Sequence, residues 1–260
     1  MIDIHSHILA AVDDGVRDME ESMAIVRESI KEGIKGIVAT PHFMEEGYRP
    51  GIDEIREKVS RLEEEIEKEN LDFAIYPGAE VFVYPGLARD LSEGLIATIN
   101  DSSYILLEFP MNYIPANIDE LFYDLKVMGY KVIISHPERY REIVQDPNRM
   151  LNWIEEGVYA QLNAGSLIGF FGQEVQETAE ILLRHNMIQF IGSDLHSLEA
   201  RGQCLAEGVK RLEEIIGEEG RRIIKNNSLI IEDKQIRTLK PTEYQAKKGF
   251  FTKFRNPFKR

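Results

Sequence analysis

Six histidines occur in this 260-residue chain, and five of them stand at or just after the end of a short apolar run. His5 and His7 close the opening MIDIHSH, His42 follows in TPH, His136 in SHPER and His196 in SDLH. Carboxylates hold equivalent places: Glu80 in PGAE, Glu108 in LLEFP and Asp194 in GSDLH. Positions i and i+2 of a strand point to one side, so His5 and His7 can converge on one point. Imidazole and carboxylate without thiolate suit Mn2+, Fe2+ or Zn2+. The donors are too many for one ion. Two or three ions sharing a bridging carboxylate would use them, and that arrangement suits phosphoester hydrolysis. Taken singly, each residue has a plainer role. Asp194 could cap a helix, Glu108 could be a paired buried acid, and His42 and His136 adjoin prolines in what could be rigid turns. The grouping at run ends outweighs those readings. His185, in RHN at a helix end, reads as an ordinary surface histidine.

Such residues meet only if the chain brings the run ends to one face. Seven strand candidates alternate with helical patterns: IDIH, GIVAT, FAIYP, YILLEF, KVIISH, VYAQLN and IQFIGS. After Asp18, an expected N-cap with Glu21 three residues on, apolar residues recur at Met19, Met23, Val26 and Ile30. Ile118, Leu121, Phe122 and Leu125 repeat the period after Asn117, and further helices are expected around 51–69, 147–156, 173–185 and 199–216. The segment between the third and fourth strands holds at most a short helix. Alternation of this kind indicates an α/β fold with a parallel sheet, either open or closed into a barrel. The glycine fingerprints of phosphate-binding loops are absent. In a barrel, residues at the C-terminal strand ends share one face, where such folds carry their sites. From about residue 226 the pattern decays.

Bulk properties narrow the function. Net charge is −14, which argues against a nucleic-acid partner, and 43% hydrophobic content supports a sizeable core in one domain. No apolar run approaches a membrane span and Met1 leads straight into strand-like sequence, so a cytoplasmic protein is expected. The single cysteine, Cys204, excludes an internal disulfide. A cysteine phosphatase needs an arginine six positions after its nucleophile, where this chain has Lys210.

DIHSH, the DDG at 13–15, TPH, PGAE, LLEFP, SHPER and SDLH together resemble the polymerase and histidinol phosphatase (PHP) superfamily. More narrowly, the chain is similar to the PHP-type bacterial tyrosine-protein phosphatases of capsule and exopolysaccharide operons, the CpsB/CapC-like group. The resemblance runs from residue 1 to at least 201. It implies a distorted seven-stranded (β/α) barrel, a PHP metallophosphatase domain over 1–240, and a manganese-dependent phosphatase acting on the phosphorylated tyrosines of a partner autokinase. It further implies three Mn2+ ions, with Fe2+ or Zn2+ as substitutes. His5, His7, Glu80 and Asp194 would hold the first, Glu80 (bridging), Glu108 and His136 the second, and Asp14, His42 and His196 the third. Spacing alone does not separate Asp14 from Asp13. Arg139 and Arg201 receive phosphate-binding roles, each a few residues beyond a histidine.

Two rival functions share these residues. A PHP phosphatase of a small phosphomonoester such as histidinol phosphate would use the same ions. A non-catalytic module that docks the kinase would have no need of three. The C-terminal stretch 241–260 departs from the rest: KKGFFTKFRNPFKR carries six positive charges and no acid, interleaved with phenylalanines. That composition suits weak contact with an anionic membrane surface, beside the alternative of a solvated end.

Overall fold

Short β-branched runs at Ile2–Ser6 (β1), Gly36–Ala39 (β2) and Ala74–Pro77 (β4) pair in parallel in the order β1-β2-β4 in the computed structural model. The structure describes residues 1–198 and 202–245. A second parallel sheet has the order β3-β5-β6-β7-β8-β9, from His42–Phe43, Glu80–Phe82, Tyr104–Glu108, Lys131–Ser135, Tyr159–Asn163 and Phe190–Gly192. The described residues thus hold nine strands where the sequence suggests seven. The two extra strands arise where expected strands break. Pro41 has no N–H for a ladder, and a Cβ on Gly78 would lie 2.9 Å from Val38 Cγ1. Beyond each break the chain resumes in the second sheet, where His42 pairs with Glu80. The two sheets meet at a parallel bridge between Ser6 and Leu195, flanked by bonds from Asp194 N to His5 O at 2.9 Å and from His7 N to Leu195 O at 2.8 Å.

Ile4, Val38, Tyr104, Leu106, Ile133 and Phe190 form one buried cluster, with Tyr76 and Tyr159 packed against it, so seven different strands contribute. A larger core lies between strands and helices. Helix α1 (Met19–Lys31) starts as its sequence suggests: the Asp18 side chain accepts from Glu21 N at 2.9 Å. Glu21 reaches back one residue further than a capping box requires, to Arg17 N at 3.0 Å. Helices α2 (Ile52–Lys68), α3 (Leu87–Ser92), α4 (Ile118–Val127), α5 (Arg141–Gln145), α6 (Arg149–Glu155), α7 (Ala164–Leu167) and α8 (Gln173–Arg184) follow. Helix α9 (Leu205–Ile216) begins later than the expected 199.

The pattern does not decay at 226. Helix α10 (Gly220–Ile231) continues through it, and two buried asparagines break its apolar period. Asn227 donates to Ile2 O at 2.9 Å and to Ile191 O at 2.6 Å, tying the helix across β1 and β9. Asn226 donates to Gln189 O at 3.0 Å. Residues 241–245, expected to begin the tail, bond to the body: Thr242 N donates to His185 O at 3.0 Å and Tyr244 N to Asn148 Oδ1 at 2.8 Å. His185 is only half-exposed, packed edge-on against the Tyr244 ring. Residues 246–260 lie outside the described part. No helix among the described residues is long and apolar enough to cross a membrane.

Candidate metal centre

All nine residues expected as ligands come together in one cluster, most of them at or just beyond the C-terminal ends of β1, β2, β4, β6, β7 and β9. His5 ends the apolar part of β1, His7 follows it, His42 and Glu80 open the paired strands β3 and β5, and Glu108 ends β6. His136 and Asp194 follow β7 and β9 with left-handed backbones, φ +31° and +55°. Such a conformation is strained for residues with a Cβ and typical of functional positions.

Around Glu80 the imidazoles form a ring. Its Oε2 lies 3.2 Å from His5 Nε2, 3.5 Å from His7 Nε2 and 3.3 Å from His42 Nδ1, and its Oε1 lies 3.1 Å from His136 Nε2. Glu108 faces His136 at 3.6 Å and His42 at 3.7 Å. Asp194 Oδ1 lies 3.6 Å from both His5 and His7. Asp14 Oδ1 lies 3.5 Å from Nε2 of both His42 and His196. Among the described residues, three groups have donor atoms within 4.8 Å of one another: His5, His7 and Glu80; His42, Glu80 and Glu108; and His7, Asp14, His42 and His196. His42 therefore stands between two groups, one ring nitrogen toward each.

The shorter spacings at Glu80 Oε2, 3.2 Å to His5 and 3.3 Å to His42, are those that two donors on one cation would show. A charge-assisted N–H···O bond runs about 2.7–2.9 Å. Two donors each about 2.1 Å from one ion, at roughly right to tetrahedral angles, stand ~3.0–3.4 Å apart. The His7 ring is hydrogen-bonded on one side and not on the other: its Nδ1 is 2.6 Å from Asp13 Oδ2, while its Nε2 is 3.5 Å from Glu80 and 3.6 Å from Asp194. His5 Nε2, His7 Nε2, His42 Nδ1 and Glu80 Oε2 are buried without a hydrogen-bond partner. Unpartnered buried polar atoms are costly, and four of them aimed at shared points suit a cation. The residues fit a metal.

Without a metal the charges redistribute. Burial opposes charge on Glu80, but His5, His136 and His7 hold its carboxyl well below the ordinary range. Burial, with the Glu80 and Asp194 charges, pushes Glu108 up to about 9. Burial and the neighbouring Arg139 push His136 down to about 4. His5 and His7 are raised, since the surrounding carboxylates outweigh their burial.

A supporting layer aims these donors. Asp13 accepts from the His7 ring at 2.6 Å, from His42 N at 2.9 Å and from Gly15 N at 3.0 Å. The two aspartates of the DDG run thus divide their work: Asp13 holds ligands in place, and Asp14, half-exposed, faces His42 and His196. The glycine is required because a Cβ there would come 2.2 Å from His7 O. Gln161 Oε1 pairs with His5 Nδ1 at 2.8 Å, leaving Nε2 to face the cluster. His196 Nδ1 lies 3.0 Å from Asp194 O. Asp194 Oδ2 accepts from Asn163 at 2.7 Å and from Arg139 Nη1 at 2.8 Å, which turns Oδ1 toward the histidines. Glu138, fully buried and pushed by burial up to about 7, accepts from Ser166 Oγ at 2.6 Å and Asn163 N at 3.0 Å. Burial and strand-end position carry a weak sequence signal for Gln161 and Asn163, both polar residues within VYAQLN.

Arg139 is 20% exposed, with its guanidinium 4.5 Å from the Phe171 ring centre. Arg201 lies outside the described residues. Cys204 is buried, its thiol pushed up to about 12 chiefly by that burial, which suits packing and not nucleophilic attack.

Among known proteins, the chain matches the family described as capsular polysaccharide synthesis, CpsB/CapC, over residues 1–232. It is 35% identical over 254 residues to tyrosine-protein phosphatase YwqE of Bacillus subtilis (strain 168), covering 96% of this chain and 100% of that protein. Tyrosine-protein phosphatase CpsB of Streptococcus agalactiae serotype III (strain NEM316) is 30% identical over 240 residues, 90% of this chain and 97% of its own length. A solved structure from work on YwqE from Bacillus subtilis and CpsB from Streptococcus pneumoniae, described as unique metal-dependent tyrosine phosphatases, superposes with a TM-score of 0.91 at 34% identity, covering 95% of this chain and 100% of that one. Histidinol phosphate phosphatase from Lactococcus lactis shares the fold alone, with a TM-score of 0.53 at 15% identity over 83% of this chain and 93% of that one. Matched nearly from end to end by such relatives, the chain belongs to the CpsB/CapC family.

Proposed function

We propose that this protein is a metal-dependent protein-tyrosine phosphatase, hydrolysing phosphotyrosine on a bacterial autokinase that controls capsular or exopolysaccharide synthesis in the cytoplasm. The carrying observation is the set of buried imidazole and carboxylate atoms around Glu80 that lack hydrogen-bond partners and converge at donor spacing. The names of the relatives supply the substrate class. His5, His7, Glu80 and Asp194 would hold one Mn2+, Glu80, Glu108 and His136 a second, and Asp14, His42 and His196 a third. Bound there, such ions supply positive charge against a transferring phosphoryl group and lower the pKa of water.

The chain's own residues do the rest. Arg139 uses one N–H to fix Asp194 and offers its others to phosphate oxygens, which a planar guanidinium grips bidentately. Arg201 is assigned the same role by family pattern. Tyrosine phenolate is a fair leaving group, so no general acid is assigned. The strands are read as seven staves of a distorted barrel, β2/β3 and β4/β5 each forming one broken stave; the shared inner cluster and the Ser6–Leu195 bridge support that reading. Weak membrane-surface contact through the basic stretch 246–260 is retained as a proposal.

The test is hydrolysis of a phosphotyrosyl peptide after chelation and after add-back of Mn2+, Fe2+ or Zn2+. Activity should vanish with chelation and return with Mn2+. Turnover of histidinol phosphate without turnover of the peptide would replace this reading with the small-substrate one.

A further inference from the structure

The strand-end loops carry exposed aromatic rings, which a metal site by itself does not require. Tyr48, 40% exposed, lies on the loop after β3 and stacks on His42, with ring centres 6.4 Å apart and planes 18° from parallel. The loop is built to hold it. Met44 N donates to Tyr48 O at 2.7 Å, and Gly47 turns with φ +105°, a conformation that favours glycine. The next residue, Arg49, is anchored to the buried carboxylate of Asp90 at 2.5 Å, and its guanidinium lies over the Phe43 ring at 5.2 Å. Asp90 is fixed in turn by the Tyr84 hydroxyl at 2.7 Å and by Arg89 at 2.9 Å. The backbone that carries a large, half-exposed ring is thus fixed beside a residue of the donor cluster, with the ring stacked on His42.

We propose that Tyr48 is a specificity-determining residue: its ring is the wall against which the phenyl ring of an aryl phosphomonoester stacks while the phosphate enters the donor cluster. The proposal rests on the phosphatase reading above. An aromatic wall distinguishes a phosphotyrosyl from a phosphoseryl side chain, because only the former presents a ring face. Aromatic pairs contribute enough beyond area burial to change affinity by roughly 2- to 12-fold.

The experiment compares wild type, Tyr48→Phe and Tyr48→Ala, each loaded with Mn2+ and checked for an unchanged melting transition. The Kd of a peptide carrying a non-hydrolysable phosphonomethyl-phenylalanine is measured by calorimetry beside that of inorganic phosphate. Steady-state kinetics use phosphotyrosyl and phosphoseryl peptides of one sequence. Tyr48→Ala should weaken phosphonopeptide binding severalfold more than phosphate binding. It should raise KM for the phosphotyrosyl peptide more than it lowers kcat, and Tyr48→Phe should restore both. Equal losses on phosphonopeptide and phosphate, or no loss on either, would overturn the role of Tyr48 and leave the phosphatase reading standing. Failure of wild type to hydrolyse the phosphotyrosyl peptide would overturn both.

Discussion

Replacing Asp13 by alanine tests whether the layer behind the donors aims them. The carboxylate accepts three N–H groups: the His7 ring at 2.6 Å, His42 N at 2.9 Å and Gly15 N at 3.0 Å. Burial opposes its charge, yet His7 and the backbone donors lower its pKa to about 2, so it is fully ionised at neutral pH. Without it, His7 no longer has Nδ1 fixed as a donor, and the tautomer that turns Nε2 to the cluster loses its preference. Loss of such a partner weakens a metal site by roughly 10- to 100-fold, about 1.4–2.7 kcal/mol. The lost bonds also reduce fold stability by about 2.5–6 kcal/mol, counting the one to His7 as charge-assisted. Titration of Mn2+ into chelated wild type, Asp13→Ala and Asp13→Asn by calorimetry reads the first quantity, and thermal melting the second. Asparagine keeps an acceptor oxygen and should lose less affinity than alanine. Wild-type affinity in a folded Asp13→Ala protein would refute the reasoning, because His7 would then be held by its strand alone.

Three further outcomes follow from the same geometry. His136→Ala should abolish phosphatase activity with a loss of melting temperature far smaller than the loss of activity, since Nε2 faces Glu80 and Glu108; full activity in a folded, metal-loaded variant would remove His136 from the centre. Arg139→Lys should cost roughly tenfold or more in kcat/KM, about 1.4 kcal/mol, because a point charge cannot bind Asp194 and phosphate together; an unchanged rate would leave Arg139 a structural ion pair. The chelated protein should melt at progressively lower temperature from pH 6.5 to 9. Glu108 near 9, Glu138 near 7 and the raised His5 and His7 keep protons in the fold that the unfolded chain has released, so rising pH favours unfolding. The depressed Asp13, Glu80 and Asp194 titrate below this window. The lowered His42 and His136 oppose the trend only at its lower edge, near the unfolded histidine value of 6.5, and a flat melting profile from pH 7.5 to 9 would contradict these environments.

The donors were legible because strand ends in a parallel α/β fold share a face, so a histidine after each apolar run reads as part of a set. Asp13, Gln161 and Asn163 were not, because a supporting role depends on where a side chain points, and the sequence shows only that a polar residue is present. Helix α10 was hidden by Asn226 and Asn227, whose amides satisfy backbone carbonyls and interrupt the apolar period. The short strands β3 and β5 were missed because two or three residues carry no periodicity. Spacing alone left Asp13 and Asp14 equivalent, whereas the turn gives them different partners: Asp13 bonds Gly15 N and Asp14 faces His42 and His196.

The breaks in the sheet have a consequence for how this protein can change. Two residues, Thr40 and Pro41, separate β2 from β3, and two, Gly78 and Ala79, separate β4 from β5. The joints match in length, and across them His42 and Glu80 arrive as register partners. Side chains alternate with every residue of a strand, so one residue added to either joint would turn its ligand to the opposite face. Connections usually absorb insertions freely. Here they count out the spacing of the proposed metal centre, and a change in their length should be felt as a lost donor rather than a longer loop.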